Sequence, residues 1–206
     1  MCSAGNQYGS SKDPFDVAVL HLTSDLVPRF EGGRFLRVTD VRFDFDVQFG
    51  VFTLFGYPAI WTQPDAADPS LLNAKALQYT TYTFEGSTHP FERFQERFHL
   101  ALDADLHESR DENANGVQLN YVGGVRARFP DDLEGISGCP VWHIGDRRAK
   151  LEQWPLIEPR LVGVETAVYR KAGVVKATRW IAVNTVINEA FPQLRPVFEM
   201  LGNVVT

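Results

Sequence analysis

Short segments rich in β-branched and aromatic residues recur along the chain, and Gly, Pro, Asp or Asn bounds each of them. Segments of this length and composition predict β-strands, and their close spacing favours a barrel or a sandwich. The predicted strands cover Val17 to Leu22, Arg37 to Phe43, Gln48 to Gly56, Leu77 to Phe84, Phe98 to Asp103, Val141 to Ile144, Leu161 to Ala167 and Gly173 to Ala177. The sequence therefore predicts an all-β fold.

The last part of the chain has a different periodicity. Apolar residues at helical spacing from Trp180 to Phe191 predict a C-terminal helix that ends at Pro192. Residues 1–13 are rich in Gly, Ser and Asn and predict a flexible N-terminal tail. Residues 57–76 contain several prolines and predict a loop. With 206 residues, of which 44% are hydrophobic, the chain is long enough to bury a sizeable core.

A single serine, Ser137, lies among closely spaced glycines in the segment Leu133 to Trp142. Gly135 and Gly138 permit a positive φ and a close approach of the backbone, so a tight turn is expected to expose the Ser137 hydroxyl. The N–H groups of Gly135 and Ser137 are then free to face a developing oxyanion. The pattern is typical of a nucleophilic serine, and the alternative is a plain hairpin turn punctuated by Gly and Pro.

The run Gly-Ile-Ser-Gly-Cys-Pro-Val at residues 135–141, followed by the apolar run at 161–164, resembles the nucleophile region of the trypsin-like (chymotrypsin-fold) serine peptidases. That family reads G-x-S-G-G-P, and here Cys139 replaces the second of the paired glycines. Residues 16–22 resemble the family segment that carries the triad aspartate into a strand. The order of Asp before Ser is also that of the family.

The resemblance covers roughly residues 14–190 and implies a trypsin-like double β-barrel, with an incomplete first barrel and a C-terminal helix. Residues 14–206 would form the peptidase domain. Within it, about 14–85 would be a remnant of the first barrel, and about 86–192 the second barrel with the terminal helix.

The resemblance also implies roles for individual residues. Ser137 would be the nucleophile of a serine endopeptidase, Asp16 would orient the catalytic histidine, and the N–H groups of Gly135 and Ser137 would hold the oxyanion. Asp131 would lie at the base of the specificity pocket and select Lys or Arg, or else belong to a solvated turn. The residues expected to pair with the substrate backbone are Val162, Gly163 and Val164.

The catalytic histidine of the family has no counterpart here, because it should precede Asp16. The five histidines are His21, His89, His99, His107 and His143. Without a base, a serine hydroxyl is a weak nucleophile. Three explanations stay open: the true start lies upstream, the chain is a non-catalytic peptide- or protein-binding module on a degenerate fold, or another histidine such as His143 serves Ser137.

The net charge of −6 and the pI near 5.4 argue against nucleic-acid binding, which needs clustered Lys and Arg. We expect a peptide or protein substrate, no membrane association and a cytoplasmic location, while the oligomeric state stays open. No cofactor is expected.

The two cysteines, Cys2 and Cys139, do not indicate a disulfide framework. Cys139 is also a minor alternative nucleophile. His99, Asp103, Asp105 and His107 would share one face of a continuous strand, but residues from 105 onward read as a loop, so no metal site is predicted.

Overall fold

The structure is a computed structural model that describes residues 15–30, 35–43, 45–104, 133–149 and 158–200. The protein is mostly β, with a curled six-stranded antiparallel sheet and a C-terminal helix, which confirms the coarse prediction. The strands are β1 (Gly50–Gly56), β2 (Thr62–Pro64), β3 (Leu72–Ala74), β4 (Leu77–Tyr82), β5 (His99–Asp103), β6 (Pro140–Asp146), β7 (Arg160–Tyr169) and β8 (Val174–Arg179), and the α-helices are α1 (Trp180–Ala190) and α2 (Arg195–Met200).

The six-stranded sheet has the order β4-β1-β6-β7-β8-β5. Its two edges meet beyond the end of β4, where Thr83 and Leu102 form an antiparallel bridge and the Phe84 N–H donates to the Ala101 carbonyl at 2.9 Å. The sheet therefore curls into a half-barrel. β1 and β4 come from the part assigned by sequence to a first barrel, and they share this one sheet with the strands that follow residue 86.

The strands form where apolar residues can face a common interior. In β4, Leu77, Tyr79 and Thr81 are buried while the alternate residues are exposed, as expected for a sheet with one solvated face. Phe52 of β1 and Leu102 of β5 are fully buried in the core. The central cluster of buried side chains comprises Phe45, Phe52, Leu54, Leu77, Tyr79, Leu100, Leu102, Ala104, Leu133, Ile136, Cys139, Val141, Val162, Val175 and Ala177.

α1 covers part of the outer face of this sheet. It contacts β7 and β8, and its buried apolar residues are Ala182, Val183 and Val186. β8 ends at Arg179 and α1 begins at the next residue, Trp180. The predicted helix is thus confirmed in position.

Two predicted strands are wrong. Residues 17–22 belong to no strand, because no other described segment pairs with them, although exposure alternates from residue 17 to residue 20 as a strand pattern predicts. Residues 37–43 contain a 3-10 helix at Val38–Asp40 instead. The Asp40 carboxylate accepts a hydrogen bond from the Arg37 N–H at 2.7 Å and closes that turn, so only Val41 forms a bridge with a strand.

The predicted loop at residues 57–76 contains the small hairpin of β2 and β3. The Asp65 carboxylate holds its turn by accepting hydrogen bonds from the N–H groups of Ala67 (2.8 Å) and Asp68 (3.1 Å). The Asn73 side chain donates to the same carboxylate at 2.7 Å. The predicted tail at 1–13 lies outside the described residues.

Candidate active site around Ser137

Ser137 lies in the turn that leads into β6. The Ile136 N–H donates to the Leu133 carbonyl at 3.2 Å and the Cys139 N–H donates to the Ile136 carbonyl at 2.8 Å, which closes two successive turns. The side chains of Ile136 and Cys139 are buried, whereas Ser137 is exposed. The buried neighbours anchor the turn and leave the serine at the surface.

Different effects exclude a side chain at the two glycines of this turn. Gly135 has φ of +92°, and a Cβ on it would lie 2.7 Å from the Ala59 backbone nitrogen. Gly138 has φ of +90°, but a Cβ there would meet nothing within 4 Å. A side chain at Gly135 is therefore excluded by contact and by backbone strain, and one at Gly138 by strain alone.

Two N–H groups of the turn donate no backbone hydrogen bond within the described part of the chain. The N–H groups of Gly135 and Ser137 donate no backbone hydrogen bond to any described residue, whereas that of Gly138 donates to the Glu165 carbonyl at 2.8 Å. Unused N–H groups beside an exposed hydroxyl are what an oxyanion-binding site requires. The oxyanion role of Gly135 and Ser137 stays a prediction that this geometry permits.

The turn is fixed to β7 through Glu165. Besides the bond from Gly138, the Glu165 N–H donates to the Cys139 carbonyl at 2.9 Å. This reciprocal pair continues the β6–β7 ladder, in which Pro140 pairs with Val164. The backbone that carries Ser137 is therefore held next to the backbone of Glu165.

A cavity of about 520 Å³ opens at Ser137. Its lining comes from the turn, from the segment at 16–20, from β7 and from α1, and it consists of Asp16, Val17, Ala18, Val19, Leu20, Ser137, Gly138, Val164, Glu165, Thr166, Trp180, Val183 and Ile187. The fold thus brings the predicted residues Asp16, Ser137 and Val164 to one cavity. Gly135, Val162 and Gly163 do not line it, and Asp131 lies outside the described residues.

Glu165 is the residue of this cavity that the sequence analysis missed. It is 0% exposed, and burial raises the pKa of its carboxyl from 4.5 to about 7. The negative charge of Asp16 raises this pKa further, while the Ser137 hydroxyl and the Lys176 ammonium lower it. The only indication in the sequence is a lone acidic residue inside an otherwise apolar strand.

Neither carboxylate oxygen of Glu165 has a hydrogen-bond partner of ordinary geometry among the described residues. The Ser137 hydroxyl nevertheless lies close enough to lower the pKa of this carboxyl. The indole Nε1 of Trp180, on another wall of the same cavity, is likewise buried without a partner in the described part of the chain.

Asp16 stands at the edge of this cavity rather than at the start of a strand. It is exposed and has φ of +52°, a conformation that Asp tolerates better than most residues. The carbonyl of the preceding Phe15 accepts a hydrogen bond from the Thr178 hydroxyl at 2.6 Å, which ties this segment to β8.

The expected pairing of Val162, Gly163 and Val164 with a substrate strand finds no free backbone edge at Gly163 and Val164, and for Val162 it stays a prediction. Gly163 pairs with Val141 of β6 on one side and with Arg179 of β8 on the other. Both backbone edges of β7 are occupied at this point, so no additional strand can be hydrogen-bonded there. Of these three residues, only Val164 lines the cavity.

No described histidine lines the Ser137 cavity. His143 lies inside the sheet, with its ring centroid 5.2 Å from that of Phe45 and 5.6 Å from that of Phe52. Burial lowers the pKa of its imidazole, and the charge of Arg42 lowers it further. His143 therefore cannot serve Ser137, and His107 lies outside the described residues.

Cys139 does not fit the role of nucleophile. Its side chain is 7% exposed, and burial together with the charge of Glu165 raises the pKa of its thiol to about 12. A thiol with so high a pKa carries almost no thiolate at neutral pH. Cys139 belongs to the core under the turn.

Among the described residues, no group of three or more His, Cys, Asp or Glu side chains could hold a metal ion. The helices in the described ranges are all too short or too polar to cross a membrane. Comparison of the chain with protein-family models, with curated proteins and with solved structures finds no match. The function of the site is therefore inferred from its geometry and from the motif around Ser137.

Proposed function

We propose that this chain carries a serine-type acyl hydrolase site of the trypsin-like peptidase kind, in which Ser137 attacks the carbonyl carbon of a peptide bond. One observation carries the proposal. An exposed serine hydroxyl lies at a 520 Å³ cavity, in a turn whose Gly135 and Ser137 N–H groups donate to no described backbone carbonyl. These are the nucleophile and the two donors that acyl transfer needs.

The trypsin-like double β-barrel is kept as part of the proposal, with about 14–85 as a remnant of the first barrel and about 86–192 as the second barrel with the terminal helix. Two features support this proposal: Ser137 lies in the turn that leads into β6, and α1 follows the last strand directly. Of the strands in the proposed first-barrel part, β1 and β4 belong to the six-stranded sheet, and β2 and β3 form a separate hairpin.

The substrate is a peptide or protein whose side chain enters the cavity next to Ser137. The lining is largely apolar, with Val17, Val164, Val183 and Ile187 among its residues, and it also includes the acidic residues Asp16 and Glu165. Selection of Lys or Arg by Asp131 stays a prediction.

The test is covalent labelling of the purified chain with a fluorophosphonate, in which the serine oxygen attacks phosphorus and fluoride leaves. Labelling is measured by intact mass and peptide mapping, with and without added imidazole, a small base that can reach an open cavity. We expect one label, on Ser137, that Ser137→Ala abolishes. Ser87→Ala is the matched control, because Ser87 is an exposed serine that lines a different cavity.

A second candidate function is a non-catalytic peptide-binding module. The absence of a histidine from the described lining of the Ser137 cavity favours it. Failure to label Ser137 with or without imidazole, together with saturable binding of peptides that Ser137→Ala leaves unchanged, would select this second function.

A further inference from the structure

We propose that Glu165 is the general base of this site and accepts the hydroxyl proton of Ser137 directly, an inference that rests on the proposed serine hydrolase function. Glu165 is wholly buried in the wall of the Ser137 cavity, and both of its carboxylate oxygens lack a well-formed hydrogen bond to any described residue. Burying a carboxylate without a partner costs free energy that a structural role does not return.

The backbone keeps the two groups together. The Gly138 N–H donates to the Glu165 carbonyl, and the Glu165 N–H donates to the Cys139 carbonyl. These two bonds hold the backbone next to Ser137 against the backbone of Glu165. Ser137 and Glu165 also line the same cavity, and the Ser137 hydroxyl lies close enough to lower the pKa of the Glu165 carboxyl. Long, poorly aligned catalytic hydrogen bonds are common in the absence of substrate and shorten when it binds.

Charged and titratable groups on every packed element set the ionisation of Glu165. The negative charge of Asp16, on the segment that lines the cavity, disfavours the ionised form of Glu165, and the positive charge of Lys176 on β8 favours it. Cys139 of the turn stays a neutral thiol, and α1 contributes the Trp180 indole to the lining. With burial as the largest influence, the pKa of Glu165 is about 7, which is suited to a base at neutral pH.

The proton and electron balance closes without any other reactant. Ionised Glu165 takes the Ser137 proton as the serine oxygen bonds to the carbonyl carbon, and the carbonyl electrons move onto oxygen, facing the N–H groups of Gly135 and Ser137. The tetrahedral species then expels the amine, which takes the proton from Glu165. Water attacks the acyl-serine in the same manner, with Glu165 accepting its proton and returning it to the serine oxygen.

The experiment measures the rate constant of fluorophosphonate labelling at Ser137 between about pH 5 and pH 9, without imidazole. We expect the wild-type rate to rise with pH, with a midpoint near the pKa of Glu165, because only the ionised carboxylate accepts the proton. Glu165→Gln should lower the plateau rate by roughly 10²- to 10⁴-fold and remove the midpoint. Glu134→Gln, at an exposed carboxylate in the same turn, should retain the wild-type plateau rate and the wild-type midpoint.

Asp16→Asn keeps the inference testable even where Glu165→Gln fails to fold. Asn tolerates the positive φ of this exposed position, and removal of the neighbouring negative charge should move the midpoint to lower pH. A change that affects only the structure of the site would not move the midpoint in this direction.

The outcomes separate this inference from the proposed function. Labelling that needs imidazole, or labelling whose rate and pH profile are the same in Glu165→Gln, overturns the role of Glu165 and leaves Ser137 as a nucleophile. Absence of labelling in every condition overturns both the role of Glu165 and the proposed serine hydrolase function.

Discussion

Replacement of Glu165 by Gln offers a test of its burial that does not depend on any catalytic activity. Gln has nearly the same volume as Glu but does not ionise. A carboxyl whose pKa is higher in the folded chain than in the unfolded chain binds more protons when folded, so the folded state loses stability as the pH rises between the two values. Glu165, with its pKa raised from 4.5 to about 7, should therefore destabilise the wild-type protein increasingly over this interval.

The size of the effect follows from the same two values. At about 1.4 kcal/mol per pH unit, the difference corresponds to roughly 3 kcal/mol at a pH well above both. Because the carboxyl of the unfolded chain is already mostly ionised at pH 5, the part that develops between pH 5 and pH 8 is about 2–3 kcal/mol.

The assay is urea denaturation of the wild type and of Glu165→Gln at both pH values. Other titrating groups contribute to both proteins and cancel in the difference of their free energies of unfolding. We expect the wild type to lose about 2–3 kcal/mol relative to the variant on going from pH 5 to pH 8. Glu134→Gln, at an exposed carboxylate that lies 3.9 Å from Arg170, should change little with pH.

A difference between wild type and Glu165→Gln that is the same at pH 5 and pH 8 would refute the reasoning. The Glu165 carboxyl would then be solvated or paired. Its pKa would not be raised, and it would be a poor base at neutral pH. A difference that increases in the opposite direction would mean that partners stabilise the ionised form more than burial penalises it.

Three further predictions concern the turn and the core. Gly135→Ala should lower the free energy of unfolding by more than the roughly 1 kcal/mol expected for Gly138→Ala, because only the former also places a Cβ 2.7 Å from the Ala59 nitrogen, as measured by urea denaturation. Cys139 should react with a thiol reagent such as DTNB only after denaturant is added, because it is 7% exposed and its pKa is raised to about 12. Phe52→Ala should destabilise by about 3–5 kcal/mol, because Phe52 is fully buried.

Each of these has a contrary result. Equal losses at Gly135 and Gly138 would mean that Ala59 can move aside at no cost. Rapid reaction of Cys139 in the native protein would place its thiol in solvent. A loss below about 1 kcal/mol in Phe52→Ala would remove Phe52 from the tightly packed core.

The sequence predicts well those elements whose pattern is local. Buried and exposed side chains alternate along β4, and β5 is buried over most of its length, as their compositions indicate. α1 ends before Pro192, as the spacing of its apolar residues predicts. The turn around Ser137 also follows from its glycines. Residues 17–22 have a strand pattern but are not in a strand, because strand formation also needs a neighbouring free edge, which no local pattern specifies.

The candidate site depends more on long-range pairing and was predicted less completely. Ser137 and Asp16 do line one cavity, but the expectation that a substrate strand would pair with this part of β7 did not include the partners that β6 and β8 provide for Gly163 and Val164. Glu165 was missed for the same reason. Its position next to Ser137 is set by the β6–β7 register, which brings together residues that are distant in the sequence.

The direct succession of β8 and α1 has a consequence for ligand access. No connecting residue lies between Arg179 and Trp180 to absorb a displacement, and β8 is bonded to β5 and β7 along its two edges. We therefore expect the helical part of the cavity lining to be the more rigid. Residues 16–20, which also line the cavity, belong to no strand, so we expect them to adjust to ligands of different widths.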